Sequence, residues 1–446
     1  MSERNDPRTI FGWAMYDWAN SAYITTAAGV LFPIYFASTV VPESGITVLG
    51  RTMDGEGLWS AVVGLGAFVL FLAMPVLGAV ADRSGAKRRF LQAFAYSGAA
   101  FTILLVFVGT GQVALALVLF LLSFVGFVAG NVMYNGFLPE ITTDDTIDAV
   151  SAKGFAFGYA GGGLQLLIAV GIIALHDRLG IDRLTAERLG IAMAGVWWGG
   201  FSVFALSRLH DSPTPGGERP GVLATARAGF GRTISTTRHL LGFRQLLLFV
   251  VAFLLYNDGV QTIIALTSVY ASQTLALSTE TILVTFLVVQ FVAVFGAVAF
   301  GNLARRVGPK PAILVAIGGW VLVAVGGYLL PEGASGAFVG LGAAVGLVLG
   351  GVQALSRSLY GSMIPQAASA EFFGFFAVFS KFSAIWGPLL FAVVDTLTGS
   401  SRIAIVSLVA FLVAGGILLA FVDVEAGRSS RDRWRVGEAE LGVAGT

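Results

Sequence analysis

Twelve times along its 446 residues the chain runs for about twenty residues with almost no charge, and this recurrence limits its fold more than any other feature. A helix needs about 20 mostly apolar residues to cross the hydrocarbon core of a bilayer. On that criterion the spans fall at roughly 12–40, 58–80, 90–109, 112–136, 154–175, 190–208, 245–271, 281–303, 312–330, 337–361, 373–397 and 402–422. The runs are continuously apolar rather than alternating, which argues against a β-barrel. Only 12% of the residues are charged, about half the usual share in a soluble domain. The chain therefore reads as an all-α membrane protein with twelve transmembrane helices. Its first eight residues are polar and of mixed charge, without a signal-peptide layout, so the first run is expected to remain as a span.

A net charge of +1 offers no surface for tracking phosphates, so no nucleic-acid partner is expected. There is no cysteine, and His176, His210 and His239 all fall in polar connecting stretches. Neither a metal site nor a cofactor is expected. With both termini on one side, twenty of the 27 Lys and Arg residues fall in segments on that side and five on the other. Arg357 and Lys381 lie within spans. Because basic residues concentrate on the cytoplasmic side, the expectation is a multi-pass protein of the cytoplasmic membrane with both termini cytoplasmic.

The longest polar stretch between spans, with Pro213, Pro215, Gly216, Gly217 and Pro220, divides them six and six. The expected organisation is an N-terminal bundle at 1–208, a cytoplasmic linker at 209–243, a C-terminal bundle at 244–422 and a tail at 423–446. Internal repeats support two pseudo-symmetric six-helix bundles. Gly78, Arg83, Gly85 and Lys87 recur as Gly301, Arg306, Gly308 and Lys310. Tyr134 and Pro139 recur as Tyr360 and Pro365, and Asp17, Asn20 and Ser21 as Asp258, Gln261 and Thr262.

Polar residues inside spans are costly and usually face the bundle interior. Asp17, Asn20 and Ser21 share one helix face, as do Asp258, Gln261 and Thr262. Both acids are candidates for taking up protons or holding an ammonium group, with helix capping or snorkelling the alternative for Asp17. Asn131, Tyr134 and Asn135 end the fourth span on one face, and Gln353, Arg357 and Tyr360 end the tenth. Arg357 can grip a carboxylate with two parallel hydrogen bonds, or lie at the interface, or pair with Glu371. Lys381, about two turns into the eleventh span, is expected in an internal ion pair or anion site. Tyr23 and Trp386 complete the candidate lining, with core packing the alternative for Trp386. Trp197 and Trp198 read as interfacial belt residues. Gly154, Gly158 and Gly162 form a ridge that lets helices approach closely.

The stretch Gly78-Ala-Val-Ala-Asp82-Arg83-Ser-Gly85-Ala-Lys87-Arg88 is similar to the second-loop signature of the major facilitator superfamily. Gly85 permits a tight turn, the cations Arg83, Lys87 and Arg88 anchor the loop in the cytoplasm, and Asp82 can cap a facing helix. The resemblance implies a gating loop of Gly78, Asp82, Arg83, Gly85, Lys87 and Arg88, with the acid helping to hold the halves together in one gating state. In the second copy Arg305 stands where the acid would be. A narrower set of motifs comprises Tyr16-Asp17-Trp18-Ala19-Asn20-Ser21-Ala22-Tyr23, Ser356-Arg357-Ser358-Leu359-Tyr360, Ala370-Glu371-Phe372-Phe373-Gly374-Phe375, Lys381 and Gly387-Pro388-Leu389. These resemble the branch that includes the fungal vacuolar effluxer, associated with amino-acid export during autophagy, and many bacterial permeases.

The resemblance implies a secondary active transporter working by alternating access, with a small zwitterion as substrate and protons as the candidate coupling ion. Membrane lipids are its other expected partners, and the chain is expected to act as a monomer. An enzyme is not expected, since there is no intramembrane His, no His-Glu-x-x-His pattern and no Walker-type loop. The alternatives are a carrier for sugars, lipids or drugs, and a non-transporting receptor or scaffold.

Overall fold

The computed structural model describes residues 4–48, 50–211 and 243–432. Among them twelve helices are long and apolar enough to cross a membrane. The first six are α1 Pro7–Val40, α2 Gly55–Ser84, α3 Lys87–Phe107, α4 Val113–Ile141, α5 Ile147–Ala174 and α6 Arg183–Leu206. The second six are α7 Arg244–Thr274, α8 Glu280–Val307, α9 Pro309–Leu329, α10 Ser335–Met363, α11 Gln366–Thr398 and α12 Ser401–Ala420. A short helix, α13, follows over 424–432. Several helices outrun the apolar stretches: α4 continues to Ile141 and α5 begins at Ile147, against the expected edges at 136 and 154. Hydropathy marks only the part of a helix inside hydrocarbon, while its hydrogen-bond ladder continues through the polar turns beyond.

Side chains of Asp6, Asp54, Asp182, Ser278 and Ser400 cap helix starts by accepting an N–H three residues on. The Thr9 hydroxyl and amide hold the Asp6 carboxyl below its ordinary value, and Thr185 does the same for Asp182. Two irregular helices bear on the site. α1 is π-wound over Tyr23–Leu31 and Phe36–Val40. α11 stops at Phe382 and resumes at Trp386, so it crosses as two half-helices. A hairpin of β1 Ile46–Val48 and β2 Arg51–Met53 joins α1 to α2.

The apolar side chains form two cores, one within α1–α6 and one within α7–α12. The bundles meet where α2 packs on α11, and where α5 packs on α8 and α10. The face that carries residue 4, the 142–146 and 364–368 connections and α13 is hereafter the basic face. There the bundles are in close contact. Ser151 Oγ donates to the Ala354 carbonyl at 2.7 Å, and Ser358 Oγ to Asp148 Oδ1 at 2.5 Å. The two ends of the chain cross between bundles. Arg4 donates to Gln366, while Arg431 of α13 grips Asp144 with two hydrogen bonds, of 2.8 and 3.0 Å, and donates to the Ser362 carbonyl at 2.7 Å. Burial alone would raise the Asp144 carboxyl, but the hydrogen bonds and charge of Arg431 outweigh it and hold the group below its ordinary value. That contribution is present above the unfolded carboxylate value of about 3.9 and is lost as pH falls through the lowered one, so it is constant near neutrality. Most of the expected linker at 209–243, and the tail beyond 432, lie outside the described residues.

Candidate functional site

Arg357 projects from α10 into the opposite bundle, and every hydrogen-bond partner it has there lies on α1, α4 or α5. Its Nε donates to Ser151 Oγ at 2.9 Å, one terminal nitrogen to the Ser151 carbonyl at 2.8 Å, and the other to Asn135 Oδ1 at 3.3 Å and Asp17 Oδ2 at 3.4 Å. The guanidinium also lies over the rings of Phe155, Trp13 and Tyr134, at 4.1, 4.9 and 5.6 Å from their centroids. Tyr134 O–H donates to the same Asp17 oxygen at 3.0 Å. Arg357 and Asp17 are both buried, which sets aside the interfacial and snorkelling alternatives. Gly158 makes this approach possible, because a Cβ there would lie 2.7 Å from Ser21 Oγ and 3.1 Å from Asp17 Oδ1. The glycine ridge of α5 is thus packed against the polar face of α1.

This pair forms one wall of a cavity of ≈ 330 Å³ between the bundles, near the lower end of the range of about 300–1,000 Å³ for small-molecule sites. Of the candidate residues, Asp17, Asn20, Asn131, Asn135, Gln261, Gln353 and Arg357 line it. Asn20 donates to Asn131 at 3.2 Å. Residues that sequence reasoning missed also line it, among them Thr25, Phe155, Tyr159, Asn257, Gln290, Phe376 and Ser380. Three of them form hydrogen bonds between the bundles, with Tyr159 O–H donating to Gln353 at 2.7 Å and Gln290 to Thr25 at 3.2 Å. Gln290 was detectable as an amide in the middle of the apolar eighth span. A second cavity of ≈ 140 Å³ inside the C-terminal bundle has no charged residue in its lining, so the charged cavity is the candidate site.

Other candidates lie elsewhere. Tyr134 sits behind Asp17, stacked on Trp13 at 4.5 Å between centroids. Tyr23 is buried inside the N-terminal bundle against Phe127 and Trp198, which also removes Trp198 from the interfacial belt. Trp386 is 65% exposed at the start of the second half of α11. Lys381 is exposed in the last turn of the first half, and its neighbour Ser380 lines the cavity instead.

Asp258 is buried and accepts the Gly387 N–H at 2.9 and 3.0 Å, capping the second half of α11. Asn257 donates to Ser383 at 2.5 Å, so these two neighbours hold the break. Asp258 thereby has a structural task beside the proton role expected for it. Asp258→Ala is expected to lower stability by about 1 kcal/mol, the usual cost of a lost cap. Asp258→Asn keeps an acceptor and should melt like wild type. Thermal unfolding of both checks this, and loss of pH-gradient drive in a stable Asp258→Asn variant would return the proton role.

The loop expected to gate lies at the basic face, in contact with both bundles. Asp82 accepts the Ala370 and Glu371 N–H groups at 3.2 and 2.9 Å, at the start of the helical segment Ser369–Phe382. Lys87 is buried with its ammonium 3.0 Å from Asp82, 2.6 Å from Glu140 and 2.7 Å from Ser369 Oγ. Gly85 turns the chain at φ 56°, and Arg88 donates to the Leu206 carbonyl at 2.9 Å. Arg83 is exposed. Gly78 lies against the Ala370 backbone.

The profile of a family described as "Vacuole effluxer Atg22 like" matches residues 5–432. An uncharacterized MFS-type transporter, YxiO of Bacillus subtilis (strain 168), is 33% identical over 415 residues, which cover 93% of this chain and 94% of that protein. Autophagy-related protein 22-1 of Phaeosphaeria nodorum is 23% identical over 524 residues, covering 97% and 93%. Among solved structures, the human organic anion transporter MFSD10 aligns with a TM-score of 0.65 at 15% identity, over 94% of this chain and 100% of that one. The proton:xylose symporter XylE gives 0.64 at 14%, over 93% and 94%. At such identities the likeness is one of fold.

Proposed function

The chain belongs to the Atg22-like vacuole effluxer family of major facilitator transporters, and on that premise we propose that it carries a zwitterionic small solute, an amino acid or close relative, across the cytoplasmic membrane. It is a multi-pass membrane transporter and not an enzyme. The observation that carries the substrate reading is the opposed pair Asp17 and Arg357 on the wall of the central cavity, 3.4 Å apart and contributed by different bundles.

Arg357 and Asp17 neutralise each other across the bundle interface. A zwitterion entering the cavity offers its ammonium to Asp17 and its carboxylate to Arg357, replacing both members of the pair at once, so neither charge is left bare in a low-dielectric interior. Asn20, Asn131, Asn135, Gln261 and Gln353 supply neutral donors and acceptors around it. When the bundles rock and the basic face opens, Arg357 leaves Ser151, Asn135 and Asp17 together, and the solute carboxylate takes their place. Asp17 is then the group best situated to accept a proton, which gives a route for proton coupling. The rocking units are 1–208 and 244–422. The bias of Lys and Arg supports the basic face as cytoplasmic, the family's description supports export, and one chain carries the complete cavity, consistent with a monomer.

The test is counterflow in proteoliposomes loaded with a panel of amino acids, which needs no assumption about the driving ion. Saturable exchange of particular amino acids, accelerated by an imposed pH gradient, is the expected result. Silence across the panel in folded protein would overturn the amino-acid reading in favour of sugars, lipids or drugs.

A further inference from the structure

Away from the transport cavity, on the outer surface of the N-terminal bundle, a groove of ≈ 570 Å³ runs between α1 and α6. Met15, Met193, Trp197, Phe201 and Phe204 line it, flanked by the exposed Val196 and Val203. Trp197 lies nine residues from the end of α6, well inside the bilayer rather than in the belt expected for it. From Met193 to Phe204 is eleven residues, or about 16 Å along a helix. A single leaflet contributes about 15 Å of hydrocarbon. The groove is therefore as long as one leaflet is deep.

At its basic-face end the groove meets a cluster of aromatic rings holding two cations. Phe11 packs edge-on against Phe157 and Phe204, at 5.9 and 5.8 Å. Lys153 lies over Phe11 and Phe157 at 5.6 and 5.9 Å, and Arg208 over Phe204 at 3.5 Å. Among the described residues neither cation pairs with a carboxylate, and the hydrogen bonds of Arg208 go to the Phe204 carbonyl and Ser207 Oγ. Lys153 is six residues into α5 and Arg208 two residues past α6, which puts both within reach of the headgroup zone. An apolar channel one leaflet deep, ending in two cations with spare donors, matches the shape and charge of one class of molecule.

We propose that this groove binds an anionic phospholipid, with an acyl chain along Met193 to Phe204 and the phosphate between Lys153 and Arg208. The site is independent of the transport reading, and its test needs no substrate.

The test uses the full chain in nanodiscs doped with phosphatidylglycerol or phosphatidylcholine brominated in the middle of the acyl chain. Bromine quenches nearby tryptophan, and the component lost in Trp197→Phe reports the groove. Wild type is expected to favour the anionic lipid, by roughly five-fold per cation, and to lose that preference at high salt. Lys153→Gln and Arg208→Gln should each remove part of it, and the double variant nearly all. The salt response of wild type keeps the test decisive if the variants fold poorly. Equal quenching by both lipids in wild type, or a preference unchanged in the double variant, would overturn the proposal. So would protection of Trp197 from both lipids in a protein that native mass spectrometry finds dimeric, since a second copy would then fill the groove.

Discussion

Arg357→Ala is expected to reduce counterflow at least about 100-fold. The side chain supplies a donor to Asp17, one to Asn135 and two to Ser151, and hydrogen bonds to charged groups are each worth about 1.5–3 kcal/mol. Loss of two such bonds to a substrate carboxylate already accounts for two powers of ten. The variant also leaves Asp17 buried without its counter-charge, which typically costs about 3–5 kcal/mol. A drop in transport alone would therefore not separate a binding residue from a structural one. The double variant Asp17→Asn/Arg357→Gln makes the separation, because it removes both charges while keeping hydrogen-bonding groups at both positions. It should recover most of the melting temperature lost in either single variant and none of the exchange. Recovery of exchange along with stability would make the pair a strut between the bundles and nothing more.

The same pair shows what the sequence makes legible. Twelve spans could be counted because a bilayer imposes a local rule, namely that the backbone must satisfy itself within each crossing. The charges of Asp17 and Arg357 stood out in their spans for the same reason. Their pairing did not, since it joins residues 340 apart through packing of α1, α5 and α10. The glycines that permit it read only as small residues, and Ser151, which holds Arg357 by side chain and carbonyl, lies before the apolar run at 154–175, in the polar first turns of α5 that hydropathy does not mark.

The break in α11 was hidden for another reason. Residues 383–385 are Ser-Ala-Ile, and the marks of the interruption, Gly387 and Pro388, lie just past it in the first turn of the second half, inside an apolar run that hydropathy reads as continuous. The first half of α11 presents Phe376 and Ser380 to the cavity, and Lys381 points about 100° away from Ser380, while Trp386 lies beyond the interruption. In α7 the two neighbouring polar residues divide between two tasks. Asn257 faces the cavity and Asp258 faces the break, and adjacent residues on a helix point about 100° apart, a difference that periodicity without a known partner helix does not resolve.

Gly78→Ala is expected to force the basic face open. A Cβ at Gly78 would sit 2.2 Å from the Ala370 carbonyl oxygen, 2.4 Å from its carbon and 2.6 Å from the Glu371 nitrogen. These are backbone atoms and cannot swing aside, so α2 must move off α11. Gly374 meets the Met74 backbone in the same way one turn along, which leaves no slack for the two helices to slide. Moving α2 draws Asp82 from the Ala370 and Glu371 amides and Lys87 from Ser369. Overpacking costs about 1–3 kcal/mol, and each charge-assisted bond lost adds about 1.5–3. The sum is enough to shift the open-to-closed ratio by roughly 100-fold or more. The chain has no cysteine, so spin labels at Arg89→Cys and Val307→Cys, one exposed site in each bundle, report the separation of the bundles at this face. Gly64→Ala in the same helix is the control, because nothing lies within 4 Å of a Cβ there. The expected result is a longer distance in Gly78→Ala and an unchanged one in Gly64→Ala. Unchanged distances in both would mean that the approach of α2 to α11 does not keep the face shut, and that the crossing contacts of Arg4 and Arg431 do.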